Sequence, residues 1–136
     1  MRLSTHLTFD GQCEAAFKFY ERCLDGRDLV LVRYASSPMA ADVPAGWGSK
    51  IVHASLTVGT TTVLSGADVM AENYERPAGF FVLLSVDDVA TAKRIFDGLA
   101  EGGQIQMPLQ QTFWSPGYGV LIDRFSIPWE VTCERR

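Results

Sequence analysis

The chain reads as an α+β protein made of two βαβββ modules, each a cupped mixed sheet with a helix on its outer face. Three observations predict this. Short runs of period-two alternation recur through the chain, as strands require. Two stretches instead show an apolar stripe at helical spacing. The segments LTFDGQCEAAFKFY and LLSVDDVATAKRIF share the order strand, Asp-containing turn, helix, with Phe-Tyr or Ile-Phe at the same late position. A repeated unit of this size cannot bury both faces of its sheet alone, so two copies should pair, within one chain or between chains. The expected modules are about 1–70 and 78–136, within a single domain.

Taken in order, residues 3–9 alternate, with Leu3, Thr5, Leu7 and Phe9 on the more apolar face and Ser4, His6 and Thr8 on the polar one. Asp10-Gly11 turns the chain into a helix near Gln12, whose stripe is Ala16, Phe17, Tyr20, Cys23 and Leu24, and Asp25-Gly26 ends it. A Leu- and Val-rich strand follows at about 28–35. Residues 36–49 have turn composition and form a long loop of the kind that often carries function. IVHASLTVG, 51–59, alternates again, with His53 and Ser55 on one side and Ala54 and Leu56 on the other. A further strand is expected at about 61–65, and an irregular loop at 66–78. Gly79 to Val86 is an apolar strand, and Asp87-Asp88 suits the cap of a helix striped by Val89, Ala92, Ile95, Phe96 and Leu99. Gly102-Gly103 ends that helix, and Gln104 to Leu109 opens the last strands. FWSPGYGVLIDRFSIPWEV, 113–131, reads as a hairpin turning at Asp123-Arg124, with that pair as a local ion pair. Phe113 and Trp129 are expected in the core. Glu130 faces away from Trp129, because successive strand residues point to opposite sides.

Bulk composition narrows the function classes. At 136 residues, 47% hydrophobic and 21% charged, the chain has the make-up of a globular protein. A net charge of −4 without a basic run argues against nucleic acid as a partner. No apolar run is long enough to span a bilayer, and the N-terminus has no signal-peptide core, so no membrane association is expected. Cys13, Cys23 and Cys133 are an odd set without metal-type spacing, which suggests reduced thiols and a cytoplasmic location.

The segments FDGQCEAAFKFYERCLDG, IVHASLTVG and LAEGGQIQMPLQQTFWSPGYGVLIDRFSIPWEV resemble the vicinal oxygen chelate (glyoxalase/bleomycin resistance/dioxygenase) superfamily. Within it the chain is similar to the PhnB-like branch. Phe113-Trp114, Tyr118-Gly119 and Asp123-Arg124-Phe125 with Trp129 carry that likeness, which covers essentially the whole chain. The resemblance implies paired βαβββ modules, a homodimer, and small-molecule sites in the cups. Some PhnB-like proteins bear a ubiquinone-pathway methyltransferase label. No glycine-rich loop follows a strand here, so a methyltransferase is not expected.

Superfamily enzymes place metal ligands on the first and last strands of a module. The resemblance puts Glu130 at the last-strand carboxylate and His6 at or beside the first-strand histidine. The matching place in the second module falls near Phe81, which cannot ligate, and in the first module on Leu64 or Ser65, so the four-ligand pattern is incomplete. His6, His53 and Glu130 all lie on polar strand faces, and two imidazoles with a carboxylate suit one divalent zinc, iron, manganese or nickel ion. Alternatively each histidine only hydrogen-bonds within a polar cup. Glu130 is the best candidate for a catalytic group. Trp47, Trp114 and Tyr118 should rim the cup, where they either clamp a planar or apolar ligand or form a dimer seam. Strand parity adds Arg33 and Ser65 to the candidate ligand contacts. Cys133 shares a face with Trp129 and reads as an inert buried thiol. Two functions follow. One is a small-molecule binding protein of the bleomycin-resistance kind. The other is a metal-dependent lyase, isomerase or dioxygenase.

Overall fold

The computed structural model of the chain describes residues 1–134. It divides into two compact units, Met1–Glu75 and Arg76–Arg136. Each holds one helix and one four-stranded mixed sheet, so both βαβββ modules form as the repeat predicts.

In the first unit β1 (Thr5–Phe9) leads into α1 (Cys13–Cys23), then β2 (Arg27–Arg33), β3 (Ile51–Val58) and β4 (Thr62–Asp68). The sheet order is β1-β4-β3-β2, with β1 and β4 parallel. Leu7, Phe9, Ala54, Leu56 and Leu64 are buried under α1, against Ala16, Phe17 and Tyr20. Asp68 organises the corner where these elements meet. Its buried carboxylate accepts from the backbone N–H of Cys13 and of Ile51, both at 2.9 Å. A carboxylate on β4 thus satisfies a helix-start donor that Gln12, the residue at the N-cap, leaves unbonded by its side chain. Burial, together with Asp68 and Glu14, pushes the Cys13 thiol far up, so it stays protonated and inert.

Two expectations fail here. The first strand begins at Thr5 rather than residue 3, because its pairing with β4 starts at Thr5↔Leu64, and Leu3 is exposed. The fourth strand runs on to Asp68 instead of stopping at Ser65. Parallel pairing with β1 carries Gly66, Ala67 and Asp68 in strand form despite their turn-like composition.

In the second unit β5 (Val82–Val86) leads into α2 (Val89–Ala100), β6 (Gln104–Gln110), β7 (Tyr118–Ile122) and β8 (Pro128–Cys133), in the order β5-β8-β7-β6. Asp88 caps α2 as expected, accepting from Thr91 N at 2.7 Å. Ala92, Ile95, Phe96 and Leu99 pack over Leu121, Trp129, Val131 and Cys133. The β7–β8 turn is built around Asp123. This buried carboxylate accepts from Phe125 N, Ile127 N and Trp129 Nε1 at 2.7, 3.1 and 2.9 Å. The neighbouring Arg124 reaches Glu101, its Nε donating to the Glu101 carbonyl at 3.0 Å. Among the described residues no helix is long and apolar enough to cross a membrane.

Candidate functional site

Each sheet has one face covered by its helix and one that is not. Cross-strand partners share a face, so the register assigns every side chain. On the open face of the second sheet, Leu83, Glu130, Val120 and Met107 form one row, and Ser85, Thr132, Tyr118 and Gln110 form the next. Glu130 thus sits between apolar neighbours. The Tyr118 phenol stands in the adjoining row, near that carboxylate. Burial, with the influence of Glu130, raises the Tyr118 phenol above the ordinary tyrosine range.

An aromatic chain leads away from this pair. The Trp114 ring meets Tyr118 edge to face at 5.1 Å between centroids, and Phe113 meets Trp114 likewise at 4.7 Å. The loop bearing both rings is tied from below. Ser115 is fully buried, its Oγ donating to the Cys133 carbonyl at 2.7 Å and accepting from Gly117 N at 3.1 Å. Thr112 N donates back to Ser115 O at 2.8 Å. The rings are therefore presented on a fixed turn rather than a loose one. Phe113 was expected in the core; it is 93% exposed, and Trp114 is 50% exposed. Parity misplaces Phe113 because residues 111–117 lie outside any strand. Ser115 escaped the sequence reading.

On the open face of the first sheet, His6 pairs in register with Ser65, and Ser65 with Ser55. His6 Nδ1 lies 3.2 Å from Ser65 Oγ. The Ser65 hydroxyl also donates to the Thr5 carbonyl at 3.3 Å. His53 is two strands and one row away from His6, about 12 Å by strand geometry. Among the described residues no three His, Cys, Asp or Glu side chains stand close enough to hold one ion.

The register explains why. Counting back from Phe9 and Val86, which end β1 and β5, His6 of the first sheet matches Leu83 of the second rather than Phe81. Ser65 matches Glu130. One sheet pairs a histidine with a serine; the other pairs a carboxylate with a leucine. Neither sheet by itself holds a histidine–carboxylate pair, so the residues present do not fit a closed metal centre within a module.

Two further candidates land elsewhere. Arg33 does not reach the open face. A register shift between Val32 and Arg33 opposite β3 turns it, with its partner Ile51, to the helix side. There its guanidinium grips both Glu14 oxygens at 2.9 Å, and with Lys18 it holds that carboxyl down to about 2. Trp47, on the loop of the first unit, packs edge to face on Tyr34 at 5.7 Å, and the Tyr34 hydroxyl donates to the Asp68 carbonyl.

Comparison with known proteins fits this architecture. The sequence profile of the Glyoxalase/Bleomycin resistance protein/Dioxygenase superfamily matches residues 3–131. The chain belongs to that superfamily. Protein YjdN of Escherichia coli K12 is 32% identical over 139 residues, covering 96% of this chain and 94% of that one. The crystal structure of protein PA1353 from Pseudomonas aeruginosa superposes with a TM-score of 0.89 at 39% identity, covering 100% of this chain and 99% of that one. The PhnB protein of Bacillus cereus shares the fold, with a TM-score of 0.81 at 24% identity over 98% and 99% of the two chains. In this glyoxalase-type fold the open sheet faces are the surfaces without a helix, and the second one carries the Tyr118–Glu130 pair.

Proposed function

We propose that this protein binds a small planar or amphipathic molecule on the open face of its second sheet, without turnover. One observation carries the reading. Exposed Phe113 packs edgewise on Trp114, and Trp114 packs edgewise on Tyr118, which stands beside Glu130. Aromatic rings on a fixed turn beside a carboxylate supply both the apolar contact and the orienting polar group that a ligand site needs. The partner is a small molecule, and a second copy of the chain covers the remaining apolar surface. The buried thiols of Cys13 and Cys133, the first held protonated, suit a reducing compartment such as the cytoplasm.

Equilibrium dialysis against planar aromatic compounds, with chelator present, tests this. Saturable binding is expected to survive chelation, and Trp114→Ala is expected to weaken it about tenfold, worth about 1.4 kcal/mol. Affinity that disappears with the chelator would end the metal-free reading.

A metal-dependent lyase, isomerase or dioxygenase is the second reading. It is supported by His6 and Glu130 standing on open faces. It needs donors that one module does not bring together. Stoichiometric zinc, iron, manganese or nickel retained after reconstitution, and lost in both His6→Ala and Glu130→Ala, would favour it over simple binding.

A further inference from the structure

A hollow of about 420 Å³ lies one row beyond Glu130 on the same open face of the second sheet. Its floor is Pro128 and Ile122, which are cross-strand partners, with Gln106 at one side. Phe81, the residue before β5, and Phe80 wall it, and they are 43% and 46% exposed. Arg76 stands at its mouth. Among the described residues Arg76 has no ion pair or side-chain hydrogen bond. No other charged side chain lines the hollow.

We propose that this hollow selects an aromatic monocarboxylate, with the ring between Phe80, Phe81 and Ile122 and the carboxylate on Arg76. The inference rests on the open face being a binding surface, and adds what kind of molecule that surface chooses. Two phenyl rings and two aliphatic floors leave a planar apolar body as the matching shape, and a volume near 420 Å³ sits at the small end of ligand sites. A guanidinium offers two parallel N–H donors, which a carboxylate accepts in bidentate fashion. A single cation balances a single charge, so a monocarboxylate suits it better than a phosphate dianion. Glu130 does not oppose this. Its carboxylate stands near Tyr118, which lies opposite Thr132, on the side away from Pro128.

The test uses 2-naphthoate and its neutral analogue 2-naphthamide, measured by isothermal titration against the full chain at low salt. The wild type is expected to bind 2-naphthoate at least tenfold more tightly than 2-naphthamide. Arg76→Gln should remove that preference while leaving 2-naphthamide binding unchanged, and Phe81→Ala should weaken both probes. Far-UV circular dichroism checks that each variant is folded. Equal binding of the two probes by the wild type, or an unchanged preference in Arg76→Gln, overturns the acid selection and leaves the general binding surface standing. Failure of both probes to bind overturns the acid selection and counts against the binding surface as well.

Discussion

Glu130 and Tyr118 show how a carboxylate is kept on an apolar row. Leu83 and Val120 flank Glu130 in register, and an unpaired carboxylate there would be costly. The Tyr118 phenol is the polar group beside it, and that phenol in turn titrates late. A raised phenol favours the protonated form in the folded state. Its contribution to stability is present below the ordinary tyrosine pKa and is lost as pH rises through the raised one. In ultraviolet titration of phenolate absorbance, the component that Tyr118→Phe removes should ionise above the ordinary tyrosine range. In Glu130→Gln it should move down but stay somewhat high, because burial is the larger cause and remains. A tyrosine that does not move in Glu130→Gln would show that the pair is not formed. Asp123 is the opposite kind of carboxylate. It is wholly internal and satisfies two backbone donors and the Trp129 indole, so Asp123→Ala orphans three groups. The expected loss is about 3 kcal/mol, read as a lowered urea midpoint with an unchanged slope.

At the scale of elements, each helix lies so close to its sheet that a strand glycine is required beneath it. A Cβ on Gly66 would meet the Phe17 ring at 2.7 Å and the Leu7 carbonyl at 2.8 Å, and one on Gly119 would meet the Phe96 ring at 2.6 Å. Such overpacking of a tight core costs about 2 kcal/mol, so Gly119→Ala should lower the melting temperature by several degrees; an unshifted melt would mean that α2 yields freely. The same contacts set what was readable from the chain. The helices, the Asp88 cap and the repeat were legible because stripe, cap and strand parity are local. Glu130 was correctly placed because β8 alternates without interruption. Arg33 was not, since a register shift exchanges the two faces and leaves no sign in hydrophobic pattern. Asp68 and Ser115 were missed because their partners are distant in sequence: Cys13 and Ile51 for one, Cys133 for the other. Phe113 was read as core, whereas it stands on a loop outside any strand and is exposed.

At the scale of the whole molecule, each unit has a helix for only one face of its sheet. The uncovered faces are not those of a sheet meant for water. Val30 on the first, and Leu83 and Met107 on the second, are exposed, as are Phe113 and Trp114 on the adjoining loop. Contiguous exposed apolar surface of this kind marks an interaction site, and a layered fold needs a second layer on each such face. A small ligand covers a few side chains, not a sheet. The remaining cover is best supplied by another copy of the chain, whose faces have the same character and would meet it by symmetry. Sedimentation equilibrium at micromolar concentration is therefore expected to give twice the 15.0 kDa chain mass. Replacing Leu83 and Met107 together by Asp should shift it toward one chain, with the far-UV spectrum retained, because neither side chain lies under α2. A wild-type mass of one chain under these conditions would mean that the open faces find their cover in some other way.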